Sequence, residues 1–254
     1  MKRIMLFGAV ILAVQLVAAP LSGASAADLP VKAPMMAPVA PGPLWSGFFI
    51  GGNIGDAQSH TTWCTDAEVT NCAAPTPFDV VTQKNNGLVG GGQTGYRFQF
   101  GNFVFGPEAM LDGMVNKMST ADPVFAGQTR TTTMKGLSSV TGDAGLAFDR
   151  FYLYGKGGWA ITSMDFDANF PAAGVDVKGS GYATGWTAGG GLEYMLPSGW
   201  SVGVEYNYYQ FDPKNILNAV DTGGATIPCT FCNFGHNTYV QTITARINVR
   251  VGPP

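Results

Sequence analysis

Hydrophobic and polar residues alternate in eight segments of the chain from residue 44 onward. A period of two places successive side chains on opposite faces, so each segment is predicted to be a β-strand. Each has the length of a tilted membrane-spanning strand, roughly 10 residues with a short extension. The segments cover residues 45–57, 87–100, 103–116, 136–148, 151–163, 182–196, 200–211 and 238–251.

The connections between these segments alternate between short and long. The short ones, at 101–102, 149–150 and 197–199, consist of turn-forming residues. The long ones cover 58–86, 117–135, 164–181 and 212–237. Outer-membrane barrels have short periplasmic turns and long extracellular loops. The predicted fold is therefore all-β, an eight-stranded antiparallel transmembrane up-and-down β-barrel with its long loops facing the cell exterior.

The alternation also predicts which face of the sheet meets lipid. The third segment places Phe103 and Leu111 on one face, and Glu108 and Asp112 on the other. The apolar face carries aromatic residues at its ends, as at Phe103 and Trp200, which is typical of an interfacial girdle. We therefore expect an apolar surface towards lipid and a polar lumen. A soluble barrel with an apolar interior is the competing fold.

Composition agrees with a strand-built membrane protein. Of the 254 residues, 46% are hydrophobic and only 12% are charged, about half of the globular average of roughly 25%. Glycine runs at 51–52, 90–92 and 189–191 fall within predicted strands. A phosphate-binding loop would need a helix to follow such a run, and the pattern predicts none. In a narrow barrel, inward glycine relieves crowding instead.

The N-terminal region has the pattern of a secretory signal. Lys2 and Arg3 precede an apolar stretch at 4–19 and a run of small residues that ends at Ala27. We predict that residues 1–27 are a cleaved signal peptide, that the proline-rich residues 28–43 are an extended periplasmic linker, and that 44–254 form the barrel. Removal of the signal lowers the formal net charge from −3 to −5, which argues against a nucleic-acid partner.

Four motifs resemble the strands of a known family. They are WSGFFIGGNIG at 45–55, GGGQTGY at 90–96, FVFGPEA at 103–109 and LYGKGGWA at 153–160. In this order and spacing they resemble the small opacity-type, OmpA-like outer-membrane proteins of alphaproteobacteria. The resemblance implies an eight-stranded barrel in the bacterial outer membrane, with surface-exposed loops and a role in envelope integrity or host contact. It does not imply an enzyme.

The alternation directs a set of charged side chains into the lumen. An unpaired buried charge costs several kcal/mol, so we expect these residues to form a salt-bridged network that fills the lumen. A narrow small-solute pore is the alternative. No nucleophile with an orienting partner accompanies the carboxylates, so we expect no catalytic residues and no cofactor. The predicted lumen residues are Arg97, Glu108, Asp112, Asp143, Lys156, Glu193, Glu205, Arg246 and Arg250.

The cysteines fall in the predicted long loops, Cys64 and Cys72 in the first and Cys229 and Cys232 in the last. Exported proteins meet an oxidising compartment, so disulfides are expected. Pairing within each loop is favoured, and bridges between the two loops stay open. A zinc site at Cys229, Cys232 and His236 is the less favoured alternative, because oxidation removes the thiolates that zinc needs.

These observations favour a structural or surface-interaction protein of the outer membrane over a pore. The expected partners are outer-membrane lipid and lipopolysaccharide, the outer-membrane assembly machinery, and a host or surface ligand at the loops.

Overall fold

A computed structural model of the chain describes residues 44–64, 80–121, 127, 129–170, 175–211, 218–221, 226–227 and 235–251. All the regular secondary structure in these ranges is β-strand. The described part of the chain contains no apolar helix of membrane-spanning length. The predicted signal peptide and linker lie outside the described residues.

The described strands are β1 (Gly47–Cys64), β2 (Val80–Phe100), β3 (Phe103–Ala121), β4 (Thr129–Phe148), β5 (Phe151–Phe170), β6 (Val175–Met195), β7 (Trp200–Phe211), β8 (Asn218–Asp221), β9 (Thr226–Ile227) and β10 (Gly235–Val251). All of them except β8 and β9 form one closed antiparallel barrel. The neighbour order is β5-β4-β3-β2-β1-β10-β7-β6, and pairing of β5 with β6 closes the ring. The predicted eight-stranded barrel is confirmed.

The short strands β8 and β9 are additions that the sequence pattern did not predict. β8 pairs with residues 175–178 of β6, and β9 pairs with β8. Both lie within the connection at 212–237, which was predicted to be a loop throughout.

The predicted long loops are also too long. β2 begins at Val80 rather than at residue 87, and β4 begins at Thr129 rather than at residue 136. Beyond the lipid-facing band, polar residues such as Lys117 and Ser119 replace apolar ones on the outer face, so the apolar alternation stops although strand pairing continues. Cys64, placed in a loop by the prediction, belongs to the backbone of β1.

The predicted short turns occur where the chain reverses direction between β2 and β3, β4 and β5, and β6 and β7. Gly101, Asp149 and Gly199 have φ angles of 59°, 52° and 79°. Glycine adopts this left-handed region without steric cost, and aspartate is one of the few other residues that tolerate it.

The outer surface of the barrel is apolar and the inner surface is polar. Leu111 and Val115 on β3 are 70% and 79% exposed, whereas Glu108 and Asp112 on the same strand are buried. Exposed apolar side chains on every barrel strand form a continuous band that faces lipid. The predicted assignment of the two faces is therefore correct.

The glycine runs are only partly explained by crowding in the lumen. Gly51 and Gly189 point inward, where an added Cβ would overlap the carbonyl oxygens of Ile247 and Tyr206. Gly52 and Gly92 alternate with them and point outward, where an added Cβ would meet one backbone oxygen at 3.4 Å. The prediction therefore holds for every second residue of a run, because the strand alternates its faces.

Candidate functional site in the barrel lumen

Arg246 of β10 is at the centre of a buried ionic network. Its Nη2 lies 2.6 Å from Glu108 Oε2, and its Nε lies 3.3 Å from Glu193 Oε1. Its Nη1 contacts Glu205 Oε2. All four of these side chains are buried, so bulk water does not compete for their hydrogen bonds. One guanidinium thus joins carboxylates from β3, β6 and β7 across the lumen.

Lys156 of β5 links two of the same carboxylates. Its Nζ lies 2.7 Å from Glu108 Oε1 and 2.9 Å from Glu205 Oε1. The Tyr154 hydroxyl donates to Glu205 Oε2 at 2.6 Å, and Asn207 Nδ2 donates to Glu205 Oε1 at 2.7 Å. Charge-assisted hydrogen bonds of this kind offset the desolvation cost of the buried charges.

Arg97 of β2 forms the second centre of the network. Its Nη1 and Nη2 donate to Glu193 Oε2 and Oε1 at 3.0 and 2.8 Å, which is a bidentate pair. Its Nε lies 3.5 Å from Asp143 Oδ2, which also accepts a hydrogen bond of 2.7 Å from the Tyr152 hydroxyl. Glu193 is shared with Arg246, so the two arginine centres are one network.

Two of the predicted lumen residues lie outside this network. Asp112 accepts a hydrogen bond of 2.9 Å from Asn53 Nδ2, and no described cation forms an ion pair with it. Arg250 is only partly buried, at the periplasmic rim, where it donates to the Leu44 carbonyl at 2.8 Å. The structure brings the other predicted residues together.

Aromatic residues that the sequence analysis did not single out close the periplasmic side of the network. The Arg97 guanidinium lies 4.4 Å from the centre of the Phe49 ring and 4.8 Å from that of Tyr152. Tyr152 stacks on Tyr154 and packs against Trp45. The alternation could have indicated both tyrosines, because they lie on the same face of β5 as Lys156.

A methionine-rich apolar layer lies on the extracellular side of the network and was also missed. Met114 and Met118 follow Glu108 on the inward face of β3, and Met134 pairs directly with Met164 across β4 and β5. Methionine fills irregular space well, which suits a lumen lined by eight tilted strands. The layer consists of Met110, Met114, Met118, Met134, Leu137, Met164, Phe166, Tyr209 and Phe211, with smaller residues between them.

From the periplasmic turns towards the extracellular side, the lumen is therefore filled by an aromatic layer, then the ionic network and then the apolar layer. Three carboxylates of the ionic layer form ion pairs with Arg97, Lys156 and Arg246: Glu193 with Arg97, and Glu108 with both Lys156 and Arg246, while Glu205 also pairs with Lys156. Cys72, Cys229 and Cys232 lie outside the described residues. Cys64 and His236 belong to β1 and β10 by their backbones, and their side chains are not described.

Comparison with known proteins places this barrel in a family. Residues 16–228 match the family model described as "Outer membrane protein beta-barrel domain". The chain belongs to this outer-membrane barrel family. It is located in the bacterial outer membrane, as the names of its relatives also indicate.

Two relatives of this barrel come from alphaproteobacteria. The 31 kDa outer-membrane immunogenic protein of Brucella melitensis is 29% identical over 208 residues, which cover 78% of this chain and 85% of the relative. The 22 kDa outer membrane protein of Rhizobium leguminosarum is 27% identical over 191 residues, which cover 70% of each chain.

The outer membrane protease OmpT of Escherichia coli has a similar structure. It superposes with a TM-score of 0.52 at 9% sequence identity, over 81% of this chain and 97% of OmpT. At that identity the likeness concerns the fold alone.

Proposed function

We propose that this outer-membrane barrel has a structural or surface-interaction role in the envelope, and that it is neither a pore nor an enzyme. The observation that carries the proposal is the filled lumen. A solute would have to separate Arg246 from Glu108, Glu193 and Glu205 and then displace the methionine layer. Breaking such buried pairs is costly, since each charge would lose its partner away from bulk water.

The length of the strands supports a role at the cell surface. β2 and β6 each have 21 residues, whereas roughly 10 residues of a tilted strand cross the hydrocarbon core. Beyond the apolar band the outer wall is polar, with residues such as Lys117, Thr133 and Asp165. This wall would carry the loops away from the lipid, within reach of lipopolysaccharide or a host ligand. Insertion would require the outer-membrane assembly machinery.

We expect the purified barrel to show no steady conductance in planar lipid bilayers. The ionic and methionine layers fill the described part of the lumen with buried side chains, so ions would have to disrupt these contacts to pass. The measurement is single-channel recording of the full chain, with an open porin as the positive control and heat-modifiable gel mobility as the check of folding. Steady open channels from folded protein would overturn the sealed-lumen proposal in favour of the small-solute pore.

We also propose that the cysteines form disulfides within their loops, Cys64 with Cys72 and Cys229 with Cys232. In an exported protein these bridges would restrain the extracellular connections. Labelling of the denatured, unreduced protein with a thiol reagent is expected to find no reactive thiol. Four reactive thiols would contradict the disulfides, and zinc released on labelling would favour the alternative site at Cys229, Cys232 and His236.

A further inference from the structure

Three lysines lie side by side on the outer wall of the barrel. Lys84 is on β2, Lys117 on β3 and Lys135 on β4, and all three are exposed. Asn85 Nδ2 donates to the Lys117 carbonyl at 2.9 Å, so the β2 segment that contains Lys84 lies next to Lys117 of β3. Lys117 is paired with Thr133, two residues before Lys135. We call these residues the lysine row.

The lysine row begins where the lipid-facing apolar band ends. On β3, Val115 is 79% exposed, and the next outward side chain is Lys117. On β2, Leu88 is exposed on the outer face, and the next two outward side chains towards the start of the strand are Asn86 and Lys84. Lysines at this height place their methylene stems along the apolar surface and their ammonium groups among the lipid headgroups.

Most of the positive charge in the lysine row has no ionic partner among the described residues. Lys135 pairs with Asp165, but neither Lys84 nor Lys117 forms an ion pair with a described residue. The acidic residue Asp56 on β1 is opposite Leu88, within the apolar part of the wall rather than beside Lys84. Within the described part of the chain, the row therefore has two ammonium groups, those of Lys84 and Lys117, that are not in an ion pair.

The wall next to the lysine row differs in its chemistry, beginning at His60 of β1, which pairs directly with Lys84. There His60, Tyr239, Tyr208 and Trp186 form a row of aromatic contacts across β1, β10, β7 and β6, with ring-centre separations of 4.6, 5.7 and 5.6 Å. Aromatic rings are usual at a membrane interface and need no charged partner. The lysine row thus spans β2, β3 and β4, and the wall that continues from β1 through β10 and β7 to Trp186 of β6 is aromatic at this height.

We propose that the lysine row binds the phosphate groups of the phosphorylated glycolipid that forms the outer leaflet. This inference rests on the proposed contact of the barrel with lipopolysaccharide, and it specifies the place and the chemistry of that contact. Lysine is a common phosphate ligand, acting as a point charge that tolerates varied phosphate geometry. Partly dehydrated headgroup surroundings strengthen the attraction, since screening is weaker there than in bulk water.

The test uses the full chain refolded in neutral detergent and compares K84Q/K117Q with K178Q. Lys178 is an exposed lysine on β6 that lies 3.9 Å from Asp167, so K178Q removes a charge elsewhere on the wall. Binding of bisphosphorylated lipid A is counted by native mass spectrometry. We expect K84Q/K117Q to weaken binding by about 30-fold and K178Q by less than about twofold.

Two further measurements separate the possible sources of binding. Lipid A without phosphates should bind wild type and K84Q/K117Q alike, and millimolar inorganic phosphate should fail to displace lipid A. Equal lipid A binding by wild type and K84Q/K117Q, or full displacement by inorganic phosphate, would overturn the proposal. Heat-modifiable mobility and absence of conductance in K84Q/K117Q would show that such a failure leaves the proposed sealed barrel standing.

Discussion

Replacement of Arg246 by methionine is expected to lower the free energy of unfolding by about 3 to 5 kcal/mol, the largest effect of any single change considered. Arg246 contacts Glu108, Glu193 and Glu205, all of which are buried. Without it those carboxylates share only Lys156 and Arg97, and the lumen holds uncompensated negative charge. Methionine fills much of the same volume as arginine. The decrease in the free energy of unfolding therefore measures the loss of the positive charge rather than the creation of a cavity.

Urea titration of the barrel in lipid vesicles, followed by tryptophan fluorescence, measures the change. Lys178→Met is the control, because Lys178 and Asp167 are a half-exposed pair that should contribute less than about 1 kcal/mol. Adding Glu205→Gln to Arg246→Met should restore part of the stability, since one uncompensated charge is removed. If Arg246→Met lowers the free energy of unfolding no more than Lys178→Met does, the network is hydrated and the lumen is not sealed.

Addition of a methyl group at Gly55 is expected to destabilise the barrel by about 1 to 3 kcal/mol. Gly55 points inward on β1, and its added Cβ would overlap the Ile243 carbonyl oxygen and the Thr244 Cα on β10. These are backbone atoms that cannot rotate away, so the β1–β10 pair that closes the barrel must separate locally. The conformational entropy that alanine removes from the unfolded chain offsets only part of this cost.

Gly142→Ala is the matched control for this substitution. Gly142 is an exposed glycine on β4, where an added Cβ would meet nothing within 4 Å, so the unfolding free energy should change by less than about 0.5 kcal/mol. Both variants are measured by the same urea titration. Equal effects at Gly55 and Gly142 would mean that strand propensity rather than closure of the barrel governs these positions.

The faces of the strands could be predicted because their signal is local. Alternation places Glu108 and Leu111 on opposite faces whatever β3 pairs with, and the turns at Gly101 and Gly199 are fixed by residues within them. The same rule directed Arg97, Lys156 and Arg246 inward. The extension of the strands beyond the membrane was not predictable in this way, because the outward residues there are polar and the contrast between the faces weakens.

The sequence by itself determined the class of fold, the two surfaces of the sheet and most of the charges that enter the lumen, but it did not indicate the buried Arg130 of β4. Tertiary structure alone decided their partners: Arg97 of β2 meets Glu193 of β6, and Arg246 of β10 meets Glu108 of β3, residues far apart in the chain. It also decided that Asp112 and Arg250 lie outside the ionic network, and that aromatic and methionine layers lie on either side of the network. The physical reason is that contacts across a closed lumen depend on strand register and closure, which are set by all the strands together rather than by any one segment.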